Sequence, residues 1–353
     1  MTSTASRRSL VLALLLVAAC GESSPHTAVD ASTAIDAGVD GADTDVDLGP
    51  DPLDVYRGPA LLSATGLYAP DGAIAPDVLA YEVRFPLWSD GSGKGRYFAI
   101  PPGAQIDTGD PERWVFPIGT RAWKEFRVGA DRIETRYFTK VAADRWDYVA
   151  YLWRADRSDA DALPAGAADV LGTTHDVPDL RACNDCHRGS ADGLLGVSAL
   201  QLATGDADSL LTRLEARGAL SVPITRSTTV PGNADTQAAL GYLHGNCGHC
   251  HGEIHPLHAA RALRLALPLG LTSVTDAPVI RSALGAAMNH ELDGTTLGIV
   301  AGEPDTSQLW VRMQHRGDVW QMPARGSEVR DPLGSDVIRR FILGLGVPPA
   351  PTP

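Results

Sequence analysis

The chain has 353 residues, 44 % of them apolar, with 43 acidic against 30 basic side chains and a formal net charge of −13. A length in this range fits about two domains with room for a sizeable core, and an acidic balance with no basic run argues against a nucleic-acid partner. No apolar stretch reaches the roughly 20 residues of a membrane-spanning helix. Five cysteines, four of them in two C-x-x-C pairs, are too few for a disulfide scaffold.

The chain opens on an export signal, expected over 1–19. Arg7 and Arg8 precede an unbroken apolar run from Leu10 to Val17, which is too short to cross a bilayer. Val17-Ala18-Ala19-Cys20 then resembles a bacterial lipobox. That resemblance implies cleavage before Cys20 and a lipid on its sulfur. Gly21, rather than Asp, after the cysteine points to the periplasmic side of the outer membrane. Residues 20–55 are read as a disordered acidic tether, because nine of residues 21–54 are acidic and none is Lys or Arg. Such a stretch cannot bury enough apolar surface to offset its ordering entropy.

Residues 56–165 read as an all-β, sandwich-like domain. Of the chain's 21 aromatic residues, 15 fall between Tyr81 and Trp153, in short runs separated by Gly, Pro and Asp. Strands are expected over 79–88, 96–100, 113–117, 121–128, 132–141 and 148–153. In the fourth, Ala122, Lys124, Phe126 and Val128 alternate with Arg121, Trp123, Glu125 and Arg127, so one set faces a core and the other does not. Asp90 and Lys94 are taken as turn and surface groups.

The chemistry sits in two C-x-x-C-H motifs, Cys183-Asn184-Asp185-Cys186-His187 and Cys247-Gly248-His249-Cys250-His251. Two cysteines three apart on a helical turn bring both sulfurs to one face, where they can form thioethers to haem, and the next imidazole can take the iron. This predicts two covalently attached haems c, with Cys183, Cys186, Cys247 and Cys250 as attachment points and His187 and His251 as axial ligands. The rival readings are a Cys₄ zinc site, for which a 60-residue gap is long, and a thioredoxin-like redox pair, which needs one motif in a βαβ unit.

Residues 166–232 are a first haem-binding segment with one good helix, 208–217. Residues 233–347 read as an all-α haem domain: a helix over 235–245, the second motif, a helix over 306–315 N-capped by Asp305, the dipeptide Met322-Pro323, and a helix over 335–345. Residues 348–353 are a Pro-rich tail. The order helix, C-x-x-C-H, Met-Pro loop, C-terminal helix resembles a small class I cytochrome c, a likeness that implies Met322 as the sixth iron ligand. Phe85-Pro86-Leu87-Trp88-Ser89-Asp90-Gly91, Phe116-Pro117-Ile118-Gly119-Thr120, Glu134-Thr135-Arg136, 198–202 and Asn246 with the second motif occur in order. Together they resemble a little-characterised family of exported bacterial dihaem c-type cytochromes. That resemblance implies a membrane-tethered carrier passing electrons between extracytoplasmic redox proteins. The alternatives are a peroxidase-like dihaem enzyme with an open site at the first haem, and a β-domain partner-binding module with ancillary haem. The first haem's distal ligand is left open among His175, His244, His255, His258, His290 and His315.

Overall fold

The computed structural model describes residues 56–346 except Arg57, Leu257 and Arg261. The expected signal peptide, Cys20 and its lipid, the tether and the tail at 348–353 lie outside the described residues. No helix among the described residues is long and apolar enough to cross a membrane.

Six strands, β1 (Leu79–Ala80), β2 (Gly93–Ala99), β3 (Arg121–Val128), β4 (Asp131–Ala142), β5 (Arg145–Trp153) and β6 (Ala160–Ala162), form one antiparallel sheet in chain order. This is a single meander and not a sandwich. Its two faces are covered by non-sheet chain, so no second sheet is needed to bury them. On one face Ala99, Trp123, Tyr137, Val149 and Tyr151 pack with Leu62, Leu67 and Val78, and Trp123 stacks on Tyr137 at 5.4 Å. On the other face Phe98, Ala122 and Phe138, register partners across three strands, join the core shared with Leu240, Leu243, Phe341 and Ile342. The alternation in β3 holds, but the expectation that only one set faces a core does not: each set of side chains meets a core of its own, because chain outside the sheet covers both faces.

Two expected strands dissolve. Of 79–88 only β1 pairs, because Arg84 and Phe85 leave the sheet and donate their backbone N–H groups to Gln201, at 2.7 and 3.0 Å. In 113–117 only Val115 makes an isolated bridge, to Asp107.

Seven helices occur among the described residues: α1 (Leu180–His187), α2 (Ala199–Leu202), α3 (Leu210–Ala216), α4 (Ala234–Asn246), α5 (Pro278–Ala283), α6 (Gln308–Gln314) and α7 (Pro332–Leu345). The C-terminal part is not all-α. A hairpin, β7 (Ala287–Leu292) and β8 (Thr295–Leu297), turns through Asp293-Gly294, both at positive φ (49° and 75°), the backbone a two-residue hairpin turn demands. Asp305 does not cap α6. It sits in a short 3₁₀ turn, and the helix starts after Ser307. α7 starts earlier than expected, with Asp331 accepting from the Gly334 N–H and Pro332 at the first helical position.

α4 carries the second motif at its C-terminal end, and two close approaches fix it. A Cβ on Gly241 would stand 2.1 Å from the Phe85 ring, and one on Gly334 of α7 would stand 2.1 Å from the Tyr242 ring. Small residues at these points let the 85–88 segment and α7 lie directly on α4.

Candidate functional site

α1 is short, and its start is fixed by Asp179, whose side chain accepts from the Ala182 N–H at 2.7 Å. It carries Cys183 at its middle and Cys186 and His187 in its last turn. Cys183 is buried and Cys186 half-buried. The His187 ring stacks on Phe138 at 4.4 Å, with Tyr148 at 6.3 Å. Its Nδ1–H donates to the Gly193 carbonyl at 2.7 Å. That bond orients the ring and leaves Nε2 as the free lone pair, the arrangement in which a histidine binds a metal. Burial pushes the His187 imidazole down to about 3, so it stays neutral at physiological pH.

The loop that supplies the Gly193 carbonyl is anchored from below. Lys140 of β4 is 1 % exposed and holds Asp192 at 2.6 and 2.8 Å. Asp192 also accepts from the Phe116 N–H at 2.6 Å. Gly193 has φ +70°, and a Cβ there would lie 2.8 Å from the Trp146 indole. The position therefore asks for glycine twice, by backbone conformation and by space.

The second motif follows α4. Asn246 accepts from the Trp88 N–H at 2.7 Å and donates to the Tyr242 and Pro86 carbonyls at 3.0 and 3.3 Å. The string Phe85-Pro86-Leu87-Trp88 thus docks at the approach to Cys247. Next to it, Asp90 accepts from the Glu328 and Val329 N–H groups, so this turn residue pins the loop that follows Met322. The His251 N–H donates to the Cys247 carbonyl at 2.9 Å.

The structure brings the two motifs together, which the reading in separate segments did not anticipate. The Cys186 and Cys250 sulfurs and a His249 ring nitrogen all lie within 4.8 Å of one another. A Cβ on Gly189 would fall 1.8 Å from the His249 carbonyl oxygen. His255 bonds the Asp185 carbonyl at 3.2 Å, and Arg325 pairs with the Asp185 carboxylate at 2.8 Å. None of the four motif cysteines is in a disulfide. The Cys186 thiol is pushed up to about 12 by its hydrogen bond with Cys250 and then by burial; burial does the same to Cys183 and Cys247. His249 carries no signal in the sequence, because the C-x-x-C-H pattern leaves that position variable.

Met322 is half-buried on the loop between α6 and α7, its N–H donating to the Arg312 carbonyl at 3.0 Å. The same loop reaches the first motif through Arg325 and Asp185. Among the other histidines, His175 bonds Glu134 at 2.8 Å. Both ring nitrogens of His315 are engaged, by Asp318 and Asp293. His244 Nδ1 accepts from the Leu267 N–H at 3.0 Å, which places its proton on Nε2.

No protein-family model matches the chain, and no solved structure does. A stretch of 76 residues, 22 % of the chain, is 34 % identical to the pyrimidine/purine nucleoside phosphorylase of Paracidovorax citrulli (strain AAC00-1), spanning 71 % of that protein. Through that stretch the chain belongs to the pyrimidine/purine nucleoside phosphorylase family, and the rest of it lies outside the likeness.

Proposed function

We propose that the protein is a membrane-tethered dihaem c-type cytochrome of the cell envelope, passing electrons between extracytoplasmic redox proteins. Cys183 and Cys186 hold one haem and Cys247 and Cys250 the other, with His187 and His251 as proximal ligands and Met322 as a sixth ligand. The tether is the lipid on Cys20, on the periplasmic side of the outer membrane. The observation that carries this reading is His187 at the end of a C-x-x-C-H helix, its Nδ1–H fixed on the Gly193 carbonyl and its Nε2 left open. Bound there, haem iron supplies reversible one-electron chemistry. The chain's own residues orient the imidazole, keep it neutral and shield it with Phe138 and Tyr148.

A second reading is favoured by the Cys186–His249–Cys250 cluster, a Cys₂His donor set of the kind zinc accepts. For the matched 76-residue stretch, the relative's name carries nucleoside phosphorolysis. One set of assays separates these. The protein is produced with haem-attachment machinery, reduced with dithionite, and its visible spectrum, spin state and reoxidation by peroxide are recorded, with zinc content and phosphate-dependent cleavage of uridine and inosine measured alongside. The carrier predicts two low-spin haems, slow peroxide reoxidation, no zinc and no phosphorolysis. Fast reoxidation with one high-spin haem would make it an enzyme.

A further inference from the structure

Beside His187, on the same face of the sheet, three cations stand directly opposite one another on neighbouring strands: Arg96 of β2, Lys124 of β3 and Arg136 of β4. Lys94 lies two residues before Arg96 on this face. Like charges in register destabilise a sheet, and here they are not fully compensated. Arg96 is 8 % exposed and pairs at 3.1 Å with Glu82, whose side chain is 73 % exposed. Arg136 pairs at 2.6 Å with Glu134, a fully buried carboxylate that His175 also claims. Lys124 lies over the Phe126 ring at 5.0 Å, and among the described residues it makes no ion pair, the Glu134 carboxylate acting on it from beyond that range. Burial, with Arg136, Lys94 and Arg96 around it, pushes the Lys124 ammonium well below its ordinary value. The row adjoins the first motif, since Phe138, on which His187 stacks, is two residues along β4 from Arg136 on the same face.

We propose that the row Arg96–Lys124–Arg136 binds the two carboxylates of the porphyrin attached at Cys183 and Cys186. This rests on the haem reading above. A free anion would meet the charge, but the row lies one sheet row from the imidazole that would hold the iron, and a porphyrin brings two carboxylates to that place on a group already fixed by its thioethers. Carboxylates held there would meet guanidinium and ammonium donors, which make the stronger, charge-assisted hydrogen bonds.

The test is spectroelectrochemistry of the full holoprotein, comparing wild type with Lys124→Met, Lys124→Arg and, on the opposite face, Arg127→Met. Removing a cation beside a haem favours its ferric form. Lys124→Met is expected to lower one midpoint potential and leave the other unchanged, while Lys124→Arg and Arg127→Met keep both. If Lys124→Met loses one haem altogether, retention of two by Lys124→Arg supports the proposal, and loss in both overturns it. Unchanged potentials in Lys124→Met with two haems attached also overturn it and leave the haem reading standing. Absence of covalent haem from wild type overturns the haem reading itself, and this proposal with it. Inorganic phosphate that shifts the wild-type potential but not that of Lys124→Met would assign the row to a free oxyanion, against the proposal.

Discussion

Replacing Gly193 by alanine sets a methyl against the Trp146 indole and forces a left-handed backbone on a residue that resists it. The expected cost is about 1–3 kcal/mol, measured by urea unfolding, together with a weakened low-spin signal from the haem proposed at His187. Asp192→Ala is expected to cost more, about 3–5 kcal/mol, because Lys140 would be left buried without its partner. The double variant Lys140→Met/Asp192→Leu should recover part of that loss. The two C-x-x-C-H motifs stand out in the sequence by their spacing alone. Gly193, Asp192 and Lys140 do not, since their roles arise from a contact between β4 and a loop 52 residues further on.

At the scale of elements, α4 is positioned by small residues. Gly245→Ala would bring a methyl to 2.4 Å from the Phe85 carbonyl oxygen, backbone that cannot rotate away. Such a variant should lose about 1–3 kcal/mol by urea unfolding and should also perturb the second motif, which follows within two residues. His244 on the same helix gives a pH signature. Burial lowers its imidazole to about 4 in the folded chain, against an ordinary 6.5. The unfolded chain therefore binds the extra proton first, so His244's contribution is fully present above pH ~6.5 and falls as pH drops towards ~4. A His244→Gln variant should show a flatter stability profile across that window, read by urea midpoints at successive pH values. The strands 121–128 and 132–141 were readable because period-two alternation survives in each, whichever core it meets. Strand 79–88 was not, because its continuation answers to Gln201 and Asn246, more than 110 residues away. The β7–β8 hairpin carries a turn signal of its own in Asp293-Gly294, which the all-α reading of 233–347 leaves out.

For the whole molecule, the described residues fall in one compact unit, in which the two C-x-x-C-H motifs meet at Cys186, His249 and Cys250. No sequence pattern reports such a meeting, because the 60 residues between the motifs carry no signal of how they fold back. The proposed carrier requires both motifs to be loaded in the same chain. The direct measurement is haem per chain by pyridine haemochrome on the exported protein, with intact mass and zinc content on the same sample. The account predicts two covalent haems and no stoichiometric zinc. No covalent haem, with one zinc bound and lost on Cys186→Ser or Cys250→Ser, would contradict it and make the joined motifs a metal site.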